Sequence, residues 1–562
     1  MPGLASPTHT SCLMTSDAVT PIAADPAPAH ARWTRFSRIG VALLAGALAA
    51  FAHPPFGILV GLIGYPLLML LAERSATPRG AFWVGWLAGF AYFFVSCWWV
   101  AEAFLIDPAQ AWMAPFAASL LPAGLGLFWG AAMALYRRFA PGGLSRVLAF
   151  TAWFCLFEWL RGHVLTGFPW NPAGASWAAG SGASQVASLV GVYGLSVITV
   201  GTVAALAPMM GPGSHRARSA TALAGLATLA ALVLGGSAWL SGRTVTYTDT
   251  LVRIVQADIT QKAKWSPEAY QSIVDRYVRL TDQPGAALPD VVVWPEGALP
   301  ASANEVFADG SPDAMAIAGA LRPGQTLLLG LARAEAEPPG PSAGAVGDVR
   351  YFNSLFALHA EGQAGVRIAA VYDKHRLVPF GEFIPLGGLM GALGVRSLVH
   401  MPEDFAAGPR PSPIALPNAP RVQPLICYES LFPGFTAAGR DRPQWIVNVS
   451  NDAWFGTSSG PLQHLNLASY RAIETGLPVV RATPTGVSAM IDPWGRVIAG
   501  TRLETGESGV IDALLPRPAP MTLYGRLGDV PFWMAILGGL SVLLPWRSGL
   551  SRLRSRRAAL GR

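Results

Sequence analysis

The side chains able to do covalent chemistry stand at the ends of three short apolar runs. Val291-Val292-Val293-Trp294-Pro295-Glu296-Gly297 delivers a carboxylate, Val371-Tyr372-Asp373-Lys374-His375-Arg376 an ammonium, and Leu425-Ile426-Cys427-Tyr428-Glu429 a thiol. A Val/Ile/Leu run stopped by polar residues and proline reads as a buried strand ending in a turn. Together they supply a base, a cation and a thiol at the ends of neighbouring strands, where α/β enzymes build their sites. Each is weak alone. A carboxylate or ammonium after a strand is ordinarily solvated, and a single Cys on a strand is ordinarily a small buried hydrophobe. Of the four cysteines, Cys12 lies in an N-terminal tail and Cys97 and Cys155 in very hydrophobic segments, which leaves Cys427 as the thiol of the polar half. No paired spacing offers a disulfide framework or a zinc site, so no metal or cofactor is expected. Lysine is scarcer still, with Lys262, Lys264 and Lys374 in the whole chain. A position that keeps Lys among so many arginines points to a need for a compact ammonium.

The chain that positions these groups has 562 residues, is 52% hydrophobic and only 13% charged, and has a mean hydropathy of +0.39. That composition fits an integral membrane protein rather than a soluble enzyme. Residues 1–31, rich in Ala, Pro, Ser and Thr and without an apolar core, read as a disordered extension. Apolar stretches follow at 39–53, 57–73, 80–104, 110–136, 146–160, 184–210, 219–240 and 529–546, giving eight expected spans. The net charge of +7 is a topology signal rather than a nucleic-acid footprint. With the N-terminus cytoplasmic, 16 arginines fall in inside segments and only Arg161 outside, a strong positive-inside bias. The chain therefore divides into a membrane part at 32–241 carrying seven spans, a large outer domain at 242–524, and an eighth span with a basic tail at 525–562. Within the outer domain, 251–256, 291–294, 326–331, 354–359, 367–372, 422–427, 445–449 and 479–482 read as strands, and 267–280 and 461–475 as amphipathic helices. This is an α/β domain with a mostly buried sheet.

Taken together, Trp294-Pro295-Glu296, Lys374-x-x-Leu377-Val378-Pro379-Phe380-Gly381-Glu382, Cys427-Tyr428-Glu429 and Ser450-Asn451-Asp452-Ala453-Trp454-Phe455-Gly456 resemble the Glu-Lys-Cys motifs of the nitrilase (carbon–nitrogen hydrolase) superfamily. With the attached spans, the chain from about residue 39 onward is similar to the bacterial apolipoprotein N-acyltransferase family. The resemblance implies a nitrilase-like sandwich on a multi-pass membrane domain, in the bacterial inner membrane, with the catalytic domain periplasmic and both termini cytoplasmic. It implies that Cys427 is the nucleophile, Glu296 the base, and Lys374 the cation that stabilises the oxyanion. Glu382 would orient Lys374, while Trp265, Tyr428 and Glu429 would surround the acyl site. The base role favours a Glu296 pKa raised by partial burial. The implied donor is a glycerophospholipid and the implied acceptor the N-terminal α-amine of a diacylglyceryl-cysteine on an apolipoprotein, joined through a thioester.

Alternatives stand beside these readings. Trp265 also suits an ordinary core or interfacial aromatic, and Asn451, Asp452 and Trp454 suit a loop held by Asx hydrogen bonds. His375 and His464 have no role in the resemblance. Where the family has Asn in a late turn, this chain has Thr483-Pro484-Thr485-Gly486. The stretch 386–405, with Leu389, Met390, Leu393 and Val395 among glycines, either dips into lipid as a lid or packs on the core. A membrane-tethered amidase would share the triad but pass the acyl group to water, and a transporter or receptor would use the domain for binding only.

Overall fold

The computed structural model describes residues 35–141, 143–211, 214–264, 266–336, 349–362, 365–385, 387, 404–436 and 439–543. Residues 1–31, the tail 544–562, Trp265, and Leu389, Met390, Leu393 and Val395 of the expected lid lie outside the described residues.

The first half is helical: α1 (Arg35–Phe51), α2 (Gly64–Glu73), α3 (Pro78–Cys97), α4 (Ala114–Phe139), α5 (Ser145–His163), α6 (Ala187–Ala204), α7 (His215–Ala230) and, after a π turn, α8 (Gly236–Ser241). Small residues let these helices touch. A Cβ on Gly46 of α1 would lie 1.9 Å from the Ala88 carbonyl oxygen of α3, the close backbone approach typical of packing in lipid. Four helical stretches, Pro78–Phe104, Ala111–Phe139, Ala183–Met210 and His215–Ser241, are long and apolar enough to cross a bilayer. The other four expected spans are helical but shorter or charged. α1 has 17 residues and α2 has 10, the C-terminal helix Val530–Ser541 has 12, and α5 carries Glu158 and Arg161.

Arg161 was the one arginine counted on the outer side, and it is not a loop charge. It is buried against Glu158, with Nη2 to Oε2 at 2.8 Å, and Trp129 Nε1 donates to the same carboxylate at 2.8 Å. Its Nη1 donates to the carbonyls of Phe168 and of Trp170, the latter at 3.0 Å. A charge in an apolar bundle survives only when paired and hydrogen-bonded in this way. The consequence is a fixed loop, 164–171, on the side facing the second half.

That second half is a four-layer sandwich. One sheet orders its strands β12-β1-β2-β3-β4-β5 and the other β11-β10-β9-β8-β7-β6. The first holds β1 (Tyr247–Gln256), β2 (Val291–Val293), β3 (Thr326–Ala336), β4 (Val349–Ala360), β5 (Val366–Asp373) and β12 (Gly509–Pro516); the second holds β6 (Ile414–Leu416), β7 (Ala419–Ile426), β8 (Trp445–Val449), β9 (Val479–Ala482), β10 (Ser488–Ile491) and β11 (Val497–Leu503). β1, β2 and β3 run parallel, as do β7, β8 and β9. Alternate residues serve different layers. Val252, Ile254, Val291 and Val293 face Val422, Ile426, Val447 and Val480 between the sheets, while Val255, Val292 and Leu327 face the outer helix layer. Strands covered on both sides need unbroken apolar runs, which is why β1, β2, β3, β7, β8 and β9 were legible in sequence; β4 and the largely exposed β5 were read as well. The outer helices are α9 (Gln261–Lys264), α10 (Tyr270–Thr281), α11 (Ala303–Val306), α12 (Pro312–Ala320) and α13 (Gly460–Thr475), followed by α14 (Leu523–Leu527) and α15 (Val530–Ser541).

α13 binds the two halves together. Its polar stripe at 463, 466, 470 and 474 follows helical spacing, but it meets the membrane half rather than water. Gln463 Oε1 accepts from Trp99 Nε1 (3.1 Å) and Trp170 Nε1 (2.7 Å), and its Nε2 donates to Pro54 O (3.0 Å). Asn466 bridges Ala175 and Ala179, Tyr470 OH donates to Gly174 and Trp177 carbonyls, and Glu474 accepts from Val192 N.

Candidate active site

Glu296 and Lys374 belong to one sheet and Cys427 to the other, so the expectation of neighbouring strands is corrected. β2 and β5 are separated by β3 and β4. Glycine closes the gap. A Cβ at Gly330 of β3 would lie 2.5 Å from Pro295 O and 2.7 Å from Glu296 Cα. Only a residue without a side chain lets the segment after β2 lie over β3 and carry Glu296 across. The crossing is held by Trp294 N donating to Leu328 O and Ala298 N to Gly330 O.

At the meeting point Lys374 Nζ lies 3.0 Å from Glu296 Oε1 and 2.9 Å from Glu382 Oε1. Asn353 of β4 donates through Nδ2 to the same two oxygens, each at 2.7 Å. Glu296 Oε2 accepts from Asn451 N and Glu382 Oε2 from Val378 N, at 2.7 and 2.8 Å. The result is a buried carboxylate–ammonium–carboxylate chain with every oxygen engaged. Asn353 escaped the sequence reading; it lies in the mixed first half of Val349–Ala360, between Arg350 and Ser354, where one more polar residue gives no signal. Burial pushes the Glu296 carboxyl up, but the Lys374 charge and its hydrogen bonds outweigh burial and hold it below its ordinary value. The expected upward shift is thereby reversed in direction. Burial alone would lower Lys374, yet Glu296 and Glu382 keep its ammonium well above the usual lysine range.

Cys427 enters from the end of β7 with φ +49°, a left-handed conformation that costs a non-glycine residue and is held only where its surroundings fix it. It is half-exposed, whereas Cys97 and Cys155 are buried. Its thiol and the Glu296 carboxylate act on each other electrostatically. Glu429, fully buried, fixes the turn from below: Oε2 accepts from Ile426 N at 2.7 Å, and Oε1 from Tyr372 OH, His375 N and Arg376 N at 2.7, 2.7 and 3.1 Å. One carboxylate thus ties the thiol's turn to the turn after Lys374. Tyr428 OH donates to Gly167 O at 2.7 Å, joining the thiol's turn to the loop that Arg161 holds.

His464 touches the backbone of Cys427 and not its sulfur. Nε2 lies 3.2 Å from Cys427 O and 3.1 Å from Ser430 Oγ, and Nδ1 lies 2.9 Å from Asp452 Oδ1. Asp452 is paired in turn with Arg481 of β9 at 2.7 Å. His375 is turned to the Gly408 carbonyl at 2.9 Å. On the opposite wall, Asn451 Nδ2 donates to Gln261 Oε1 at 3.1 Å, and Lys264 Nζ to Gly297 O at 2.6 Å; burial lowers the Lys264 pKa to about 8. At the unusual turn, Pro484 O accepts from Ile259 N at 3.1 Å and Thr483 bonds Ser488 and Gln256. Among the described residues no group of three or more His, Cys, Asp or Glu is placed to hold a metal ion.

Burial raises the Cys427 thiol well above its ordinary value, Glu296 adds to the rise, and Lys374 opposes it. A raised thiol pKa means a protonated resting sulfur at neutral pH, with deprotonation displaced to higher pH. Alkylation of Cys427 by iodoacetamide is accordingly expected to be slow at pH 7 and still climbing above pH 9. In Glu296→Gln the like charge is gone, so alkylation at neutral pH should quicken while acyl chemistry falls. Rapid wild-type alkylation at pH 7 would mean a preformed thiolate and overturn this picture.

Residues 45–206 match the Apolipoprotein N-acyltransferase N-terminal domain, and residues 251–519 match Carbon-nitrogen hydrolase. The chain is similar to the apolipoprotein N-acyltransferase of Caulobacter vibrioides, 49% identical over 515 residues covering 90% of this chain and 95% of the relative. Proteins with the same name from Rhodopseudomonas palustris and Brucella melitensis are 39% and 38% identical, over 91% of this chain each and 95% and 94% of their own lengths.

Proposed function

Because this chain belongs to the apolipoprotein N-acyltransferase family, we propose that it moves an acyl chain from a glycerophospholipid to the α-amine of a diacylglyceryl-cysteine, with Cys427 as the carrier. The observation that carries this reading is that Glu429 ties the strained turn of the half-buried Cys427 to the turn after Lys374, and so to the Glu296–Lys374–Glu382 chain.

In the first half-reaction Sγ attacks the ester carbonyl and its proton passes to Glu296. Lys374 sits beside the carboxylate that receives the proton and is the donor available to the tetrahedral oxyanion. Collapse breaks the C–O bond, and Glu296 returns the proton to the leaving lysophospholipid. In the second, the acceptor amine attacks the thioester, Glu296 takes the amine proton, and the sulfur leaves and is reprotonated. This is ping-pong chemistry. Glu382 and Asn353 position Lys374 and Glu296, and Glu429 positions the sulfur.

The membrane half supplies the place. We read eight spans in the bacterial inner membrane, the catalytic sandwich on the periplasmic side and both termini in the cytoplasm. The arginine distribution supports this, the more so since Arg161 is internally paired. The polar stripe of α13 and the Tyr428–Gly167 bond hold the thiol against the membrane half, where a lipid ester is within reach.

Intact-mass measurement tests the reading. Protein exposed to phospholipid alone should gain one acyl chain on Cys427, stable until an amine acceptor is added. Rapid hydrolysis without acceptor would mark an amidase, and no adduct at all would defeat the carrier role.

A further inference from the structure

Among the described residues, buried or half-buried arginines meet carboxylates, as Arg161 with Glu158, Arg253 with Asp512, Arg333 with Asp373, Arg471 with Glu474 and Arg481 with Asp452, or backbone carbonyls, as Arg137, Arg218, Arg276 and Arg442 do. Arg376 departs from the pattern. Among the described residues no carboxylate pairs with it, and its buried Nε has no hydrogen-bond partner. Its guanidinium carbon stands 4.8 Å from the Phe432 ring centroid, and Phe432 follows the thiol's turn. Its charge is felt at Tyr428, adjacent to Cys427, and at His163, the last residue of α5. Phe432 and Tyr428 pack into the core of the membrane half, so the guanidinium over Phe432 lies in the seam between the catalytic turn and that half. Its backbone N–H donates to Glu429, the carboxylate that also holds Ile426 N. Arg376 and the sulfur are thus held on one rigid frame.

A guanidinium whose buried Nε has no partner is costly unless an anion meets it, and its flat fork of donors matches the oxygens of a phosphodiester. We propose that Arg376 binds the phosphodiester of the acyl donor and so sets the donor's ester against Cys427. This rests on the reading of Cys427 as the acyl carrier. A diacylglyceryl-cysteine acceptor has no phosphate, so Arg376 would serve the first half-reaction and not the second.

The test uses the full chain in detergent and follows Cys427 acylation as donor concentration varies, with phosphatidylethanolamine in mixed micelles and with p-nitrophenyl palmitate, an ester without phosphate. Arg376→Gln is expected to raise the half-saturating phosphatidylethanolamine concentration roughly tenfold or more, as loss of a charge-assisted fork should. The maximal rate, the p-nitrophenyl ester reaction and transfer from preformed thioester to amine should stay near wild type, and Arg376→Lys should recover part of the loss. Equal loss with both esters would mean that the side chain only supports the fold through Phe432, and an unchanged phosphatidylethanolamine dependence would leave it no donor role; either overturns the proposal. Inorganic phosphate at millimolar levels should not compete; competition by it, with unaltered phospholipid dependence in the variant, would identify a free-anion site instead and likewise overturn it. Wild-type protein that acylates with the p-nitrophenyl ester and with no phospholipid would sink the carrier reading itself, and this inference with it.

Discussion

Cys427→Ser is expected to lose acyl transfer by on the order of 10⁴-fold or more, the scale seen when a covalent nucleophile is removed. The substitution is nearly isosteric, so the turn held by Glu429 and His464 should survive and the variant should melt near wild type. What fails is the proton transfer. Glu296 is held below its ordinary pKa by Lys374, which makes it a weak base. A thiol is acidic enough to surrender its proton to such a base as the carbon–sulfur bond forms, and a hydroxyl is not. The same weakness helps later, because a readily released proton is what the departing lysophospholipid needs. Intact mass after phospholipid exposure and acceptor acylation are the two readouts. A Ser variant within about a hundredfold of wild type would show that catalysis does not pass through this atom.

What could be read from the sequence follows from what each strand must bury. β1, β2, β3, β7, β8 and β9 are covered on both faces, so their apolar runs were plain. β6, β11 and β12 are partly exposed, and β10, though buried, begins Ser488-Ala489 rather than with a Val/Ile/Leu run; these were missed. The candidates Glu296, Lys374 and Cys427 stood out because each follows a run. Asn353 and Arg481 lie inside strands, where one polar residue has no local meaning, and only the tertiary fold reveals their partners. Gly330 gave a faint sign, since glycine in a strand interior marks a close backbone approach. The amphipathic pattern of α13 was legible but its destination was not: period reports which residues share a face, and not whether that face meets water or another half of the protein. Arg161 misled for a related reason. Counting charges in loops cannot detect that a positive charge is cancelled by a carboxylate three residues before it.

Lys374→Met should lower acylation by ~100- to 1,000-fold, the cost of losing one oxyanion donor, and should also change the pH profile. With the ammonium gone, Glu296 and Glu382 face Asn353 and each other in a buried site, and like charges so placed share a proton. Asn353 Nδ2 cannot replace a charge, although it reaches both carboxylates at 2.7 Å. Burial, no longer opposed by Lys374, then drives Glu296 upward. A carboxyl protonated at neutral pH cannot take the thiol proton, so residual activity should rise with pH through the new, higher Glu296 pKa. Wild type, whose carboxyl is already ionised there, should show no such rise. Lys374→Arg tests the geometry separately from the charge. One nitrogen now meets Glu296 at 3.0 Å and Glu382 at 2.9 Å, a compact arrangement that a planar guanidinium fills only by pushing the carboxylates apart. Arg should therefore keep the wild-type pH profile and still lose most of the rate. An Arg variant with wild-type rate would mean that charge alone suffices. A Met variant with an unshifted pH profile would mean that Lys374 does not govern Glu296.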